Sequence, residues 1–377
     1  MTTEKTFSPG LEGVIACETR LSHVDGEAGK LIFSGHNAVD LAETKTVEEV
    51  WFLLRYDRLP DQAELKKFRS KIEEAGKLSE DEFKIALRLR DGEPLSAFRS
   101  ILSAIASHRK LKPWLNRDKA EVEEEILNLC ALAPQIVEVI HKGKRPIRKA
   151  RNQGYAERYL WGIKGRRPDA EAVRAVETYL ILTTDHGMNA STFSSRVTAS
   201  TGADIGAAIT TGIGTLSGPL HGGAPGPVLD MLDEIADPSS AGQWVEDQLT
   251  QGRRIMGFGH RVYRTDDPRA LTLRRVAEHQ SGPRVDLARE VEKAVLDKLS
   301  ERQKEKAARL GQPVRPLRVN VEFWTAVVLE HAGIPRELFS STFCTSRIIG
   351  WGEHVREQLL DNKLFRPLSE YTGADVE

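Results

Sequence analysis

The sequence predicts an almost entirely α-helical protein of two domains, with one small β-hairpin near its N-terminus. Three observations carry this expectation. Apolar residues recur at helical spacing through most of the chain, an early stretch instead shows short apolar runs around a turn pair, and 377 residues exceed the roughly 250–300 at which a single core stops growing.

The hairpin comes first in the chain. Residues 13–20 and 30–35 are short apolar-bearing runs separated by Asp25-Gly26, a turn-favouring pair. A helix with full end signals follows: Val47, Val50, Trp51 and Leu54 fall at i, i+3, i+4 and i+7, Thr46 stands at the N-cap, and Glu49 completes a capping box. The same periodicity predicts helices over 120–140, 170–184, 285–310 and 337–360. Glycines cluster between Gly202 and Gly226.

Charge and cysteine usage narrow the function classes. Lys+Arg total 54 against Asp+Glu 55, a net charge of −1, so the whole chain has no bulk attraction to nucleic acid or an anionic membrane. A basic run over 141–151 (Lys142, Lys144, Arg145, Arg148, Lys149, Arg151) lies close to Tyr155, Tyr159 and Trp161, but charge runs of this kind read as solvated surface, and no nucleic-acid partner is expected. Cys17, Cys130 and Cys344 are odd in number and far apart, which fits a reducing cytoplasm better than a disulfide framework. No stretch reaches the roughly 18 apolar residues of a membrane helix and the N-terminus lacks a signal-peptide core, so a soluble cytoplasmic protein is expected.

The chemistry-bearing residues form four segments: Thr184-Asp185-His186-Gly187-Met188-Asn189, Gly218-Pro219-Leu220-His221-Gly222-Gly223-Ala224, Gly257-Phe258-Gly259-His260-Arg261-Val262-Tyr263-Arg264, and Asn320-Val321-Glu322-Phe323-Trp324. Imidazole exchanges protons near neutral pH, and glycine lets backbone close around a ligand. The pattern points to proton transfer beside a tightly wrapped small substrate. A dinucleotide reading of Gly212-Ile213-Gly214-Thr215-Leu216-Ser217-Gly218 fails on Ser217 and on the lack of a preceding strand. A zinc site built on the three histidines lacks paired-ligand spacing, and no metal is expected.

The second, third and fourth segments resemble the catalytic segments of citrate synthases, and the likeness runs from Gly10-Leu11-Glu12-Gly13-Val14 to Arg366-Pro367. The resemblance implies a large helical domain (1–220 and 326–377) carrying an inserted smaller helical domain (221–325). It also implies condensation of acetyl-CoA with oxaloacetate and water to citrate and CoA, with no cofactor beyond the coenzyme A thioester substrate. In that chemistry a carboxylate takes a methyl proton, one donor holds the enol oxygen, and another polarises the ketone. The family assigns these roles to the positions of Glu322, His221 and His260.

By the same resemblance, His186, Asn189, Arg269, Arg347 and Arg366 bind oxaloacetate, Arg366 reaching across from a partner subunit of a homodimer. Arginine is suited to this because its planar guanidinium grips carboxylates with two donors. Coenzyme A is expected along Ile255-Met256-Gly257-Phe258-Gly259, with Arg264 on its phosphates. The chain departs from the common pattern at Glu322, where most members have aspartate, and at Thr325-Ala326, where many have Ser-Gly. Two alternatives stand beside citrate formation: 2-methylcitrate synthesis from propionyl-CoA, and a non-catalytic binding or assembly role.

Overall fold

Capping chemistry decides where most helices begin. A computed structural model describes residues 7–147, 153–221, 226–260, 262–311 and 317–374. In it, Asn37, Thr46, Asp61, Ser79, Asp118, Asp169, Asn189, Asp204, Asp267 and Asn320 each place a side-chain oxygen on the first free backbone N–H groups of the helix that follows. The predicted Thr46–Glu49 capping box is formed in both directions.

The chain opens with a three-stranded antiparallel sheet, β1 (Ser22–Asp25), β2 (Lys30–Phe33) and β3 (His36–Asn37). There follow α1 (Ala38–Thr44), α2 (Val47–Tyr56), α3 (Gln62–Ala75), α4 (Glu80–Leu89), α5 (Pro94–His108), α6 (Lys119–Cys130), α7 (Ala133–Lys142), α8 (Tyr155–Lys164) and α9 (Ala170–Thr183). Then come α10 (Ala190–Ser200), α11 (Ile205–Leu216), α12 (Gly226–Ile235), α13 (Ala241–Thr250), α14 (Pro268–Gln280), α15 (Pro283–Leu310), α16 (Val321–His331) and α17 (Phe339–Leu360). No helix among the described residues is long and apolar enough to cross a membrane.

Two expectations change. The hairpin exists, but its first strand is Ser22–Asp25 and not 13–20, which carries no strand and whose residues 13–17 line a cavity instead. The helix expected over 120–140 is two, α6 and α7, because Pro134 in the first turn of α7 has no N–H with which to continue a ladder. Gly212 and Gly214 sit inside α11, a capped helix with no phosphate-binding turn.

The core is threaded by α17, which packs against α5, α6, α7, α9, α10 and α11. It is apolar where it meets them (Phe339, Cys344, Ile348, Trp351, Val355), and most of its buried polar side chains have hydrogen-bond partners, Ser341 being an exception. Glu353 accepts from Trp51 Nε1 at 3.0 Å and Arg55 Nη1 at 3.2 Å, and His354 Nε2 lies 3.2 Å from Asp185. Losing a fully buried tryptophan such as Trp351 costs on the order of 3–5 kcal/mol. Tyr155 and Tyr159, neighbours of the basic run, are core residues whose hydroxyls meet Thr345 O and Thr342 Oγ1, so neither is available for base stacking. Residues 148–151 of that run lie outside the described residues.

The hairpin has a positioning task. At Gly26 an added Cβ would lie 2.3 Å from Val262 O, and Gly26 O accepts from Arg264 N at 2.9 Å. Only glycine allows that approach, and it fixes the turn against the segment that carries His260.

Candidate active site

Between α9 and α10 the chain turns through Thr184-Asp185-His186-Gly187. The buried Asp185 carboxylate accepts from the Ser22 hydroxyl, from His354 Nε2 and from Gly187 N at 3.4 Å, which ties β1, α17 and this turn together. Burial works to raise its pKa, and His354 and Arg347 outweigh it, so the group stays below the usual carboxylate range. His186 leaves the turn with Nε2 3.2 Å from Tyr263 Oη. Burial, then Arg269 and Arg347, hold this imidazole neutral, well below its ordinary pKa.

The His260 loop is shaped by Gly257 and Gly259, whose φ values of 85° and 84° are left-handed. The loop pairs with the strand-like segment before α16: Gly259 N donates to Arg318 O at 2.7 Å and Asn320 N to Gly257 O at 2.9 Å. Asn320 then couples the loop to α16, its Nδ2 donating to Gly259 O at 3.1 Å while Oδ1 caps Glu322 N at 3.0 Å. His260 Nδ1 accepts from the backbone N–H groups of Val262 and Tyr263 at 3.0 and 3.1 Å. In neutral imidazole the proton therefore sits on Nε2. Burial, with Arg269 beside it, pushes the His260 pKa down to about 4.

Two buried arginines face the same space. Arg269, in the first turn of α14, donates Nε and Nη2 to the two oxygens of Asp267 at 3.0 and 2.8 Å. Burial lowers its pKa, and Asp267 more than offsets that. Arg347 on α17 donates only Nε, to Thr183 O at 2.7 Å, and no carboxylate among the described residues pairs with its guanidinium. Burial pulls its pKa down to about 10, still charged at neutral pH. A buried, half-used guanidinium is prepared for a carboxylate ligand.

Glu322 stands in the first turn of α16, and no protein group among the described residues hydrogen-bonds its carboxylate. Burial raises its pKa above the ordinary glutamate value, against the pull of Arg269. His221 follows α11; its Nε2 lies 2.7 Å from Ser191 Oγ, which also accepts from Trp351 Nε1 at 3.0 Å. Burial and Arg347 lower the His221 pKa to about 4. Residues 222–225, the glycines after His221, lie outside the described residues.

These groups share one cavity of about 900 Å³, lined among others by His186, Asn189, His221, Gly259, His260, Arg269, Glu322 and Arg347. Asn189 lines it too, but its side chain is already engaged: Oδ1 caps Ser191 N and Thr192 N, and Nδ2 donates to Gly187 O and Thr192 Oγ1. It therefore shapes the site by starting α10 and has no free donor for a ligand. Ile255 is buried, and Met256 packs on the core behind the loop. Arg264 lines a neighbouring cleft of about 550 Å³ with Thr265, Gln303 and Arg318, which shares Gly259 and His260 with the cavity. Arg366 is exposed in the C-terminal segment and does not line its own chain's cavity.

Sequence reasoning passed over five contributors. Ser191, Tyr263, Asp267 and Thr183 orient His221, His186, Arg269 and Arg347, and residues 10–17 wall the cavity. Ser191 stands two residues after Asn189, Tyr263 three after His260 and Asp267 two before Arg269, and that nearness in sequence was the available signal. Thr183 acts through its carbonyl, which no side-chain pattern reveals.

A family model described as the citrate synthase C-terminal domain matches residues 10–368. The citrate synthase of Haloferax volcanii is 34% identical over 97% of this chain and 95% of its own. A citrate/2-methylcitrate synthase of Bacillus subtilis is 33% identical over 99% of this chain and 98% of its own. Among solved structures, the ternary complex of carboxymethyl coenzyme A and oxaloacetate with the citrate synthase of Thermoplasma acidophilum superposes with a TM-score of 0.87, at 29% identity, covering 99% of this chain and 98% of that one.

Proposed function

The chain belongs to the citrate synthase family, and from that premise we propose that it condenses acetyl-CoA with oxaloacetate and water to citrate and CoA. The observation that carries this is the convergence of an unpartnered carboxylate, two neutral histidines and two buried arginines on one cavity.

Arg347 and Arg269 bind the oxaloacetate carboxylates, with His186 beside them. Glu322 removes a proton from the acetyl methyl; its raised pKa brings it closer to that of the weak carbon acid than an exposed glutamate would be. His221 donates to the enol oxygen as it forms. Ser191 Oγ lies 2.7 Å from His221 Nε2 and 2.8 Å from Asn189 Oδ1, and when its single proton turns to the histidine, Nδ1–H is left as the donor to the enol. The enol carbon attacks the ketone carbon of oxaloacetate while His260 Nε2–H donates to the ketone oxygen, giving citryl-CoA. Water then cleaves the thioester, releasing citrate and CoA. All of this runs on neutral imidazoles, with no resident cofactor or metal.

Coenzyme A lies along the 255–259 loop, with Arg264 toward its phosphates. Residues 221–325 form the smaller domain, closing over oxaloacetate held by the larger one (1–220 and 326–377). The protein is a cytoplasmic homodimer in which Arg366 serves the partner's site; its exposure and its absence from the lining of its own cavity support that reading. Propionyl-CoA is the second acyl donor to consider, because one methylene discriminates by only about 1–3 kcal/mol and a relative bears both product names. Purified protein with oxaloacetate and each thioester separately, assayed for CoA release and for the product acid, tests the proposal. Absence of both citrate and 2-methylcitrate would leave the non-catalytic reading.

A further inference from the structure

Thr325 is 1% exposed, lines the same cavity as Glu322, and its hydroxyl has no hydrogen-bond partner. Four other buried hydroxyls among the described residues, those of Ser34, Ser195, Thr210 and Ser341, share that state, but none of them lines the cavity. Thr178, Thr183, Thr342 and Thr345, on helices α9 and α17, donate to the carbonyl four residues back at 2.9, 2.8, 2.8 and 2.8 Å. Thr325 sits mid-helix, where the same bond to Val321 O is open to it in principle, and does not make it. A buried hydroxyl left unsatisfied costs about 1–3 kcal/mol relative to an apolar group of the same shape.

Its position supplies a reason. Thr325 follows Glu322 by three residues on α16, and residues at that spacing are neighbours on one helix face. Side chains on a helix lean toward its N-terminus, so Thr325 lies over the turn that carries Glu322. The Glu322 carboxylate also lacks a hydrogen bond. An unpaired donor and an unpaired acceptor thus stand one turn apart on the same wall of the cavity. The other charged or titratable groups lining the cavity around this carboxylate are Arg269 from α14, Tyr179 from α9, Arg347 from α17, His186, His221 and His260 from the loops, and Glu12 and Cys17 from the N-terminal segment.

We propose that Thr325 is a positioning residue for Glu322, its hydroxyl donating to the carboxylate and fixing the oxygen that takes the substrate proton. Glutamate has three side-chain torsions, and a misplacement of about 1 Å at a reacting group can cost on the order of 100-fold in rate. A donor on the adjacent turn removes that freedom and favours the ionised, basic form. The inference rests on the reading of Glu322 as the base.

The test compares Thr325→Val, which keeps the shape and removes the hydroxyl, with Thr325→Ser, which keeps the hydroxyl. Thr325→Val should lower kcat about tenfold, leave the KM for oxaloacetate unchanged, and move the acidic limb of the kcat/KM profile to higher pH, since the carboxylate loses a bond that favours its charged form. Its melting temperature should equal or exceed that of the wild type. Thr325→Ser should restore both rate and limb. Wild-type kcat and an unmoved limb in Thr325→Val overturn the proposal, as does equal impairment of the two variants. If the wild type itself makes no citrate or 2-methylcitrate, it is the functional reading that has failed; if it does and Thr325→Val is unaffected, only the role of Thr325 falls.

Discussion

Arg269 Nη2 lies 3.4 Å from His260 Nε2, and both atoms carry hydrogens. His260 Nδ1 is occupied by two backbone N–H groups, so Nε2 is a donor in the neutral ring, and a guanidinium has no acceptor. Two donors this close do not bond each other. They aim at a common oxygen, which the proposed reaction supplies as the ketone and carboxylate of oxaloacetate. Preorganised donors of this kind act where charge develops and need no rearrangement at the moment of reaction.

Glu322→Gln keeps volume and removes the base. Turnover should fall at least about 100-fold, with melting temperature unchanged or raised, because a buried carboxylate is replaced by a neutral amide. Loss of solvent deuterium exchange into the acetyl methyl locates the defect at proton removal. Retention of most of the turnover would show that another group is the base.

Arg347→Lys keeps the charge but cannot both donate to Thr183 O and present two further planar donors. Oxaloacetate affinity, read by calorimetry, should drop about 10- to 100-fold, the ~1.5–3 kcal/mol expected for charged hydrogen bonds. A change within twofold would remove Arg347 from the carboxylate site.

Acid should destabilise the folded state in a defined window. His221 and His260 have pKa values lowered from an ordinary 6.5 to about 4, so between those limits the unfolded chain binds protons that the folded chain does not. Stability therefore falls as pH drops from about 6.5 toward 4, and these two groups contribute no slope above that window. Melting curves from pH 8 to 4.5 should show it, and His260→Gln should reduce the slope. An equal slope in the variant would mean that His260 is not held neutral by the fold.

Mixing inactive Arg366→Ala chains with inactive His260→Ala chains checks the shared site. Heterodimers should regain one intact site and partial activity, because one chain supplies the arginine that the other's site lacks. No recovery, with subunit exchange verified by mass, would place Arg366 outside the site.

The fold class and the helix starts were legible because they are local. Thr46 and Glu49 cap a helix through bonds within a few residues, and the 3.6-residue apolar repeat is written along each segment. The histidines and Glu322 were legible because each lies within a short motif resembling a known family. What sequence alone misplaced depended on partners far along the chain. The run 13–20 reads as a strand by composition, yet its residues 13–17 line the cavity, and β1 begins later, where the Ser22 hydroxyl reaches Asp185. Asn189 reads as a ligand, yet helix α10 uses its polar atoms. The tautomer of His260, the half-used guanidinium of Arg347 and the unpaired hydroxyl of Thr325 are likewise settled by which backbone and side-chain groups packing delivers to them, and hydrogen-bond satisfaction in a buried site is a property of three-dimensional neighbours.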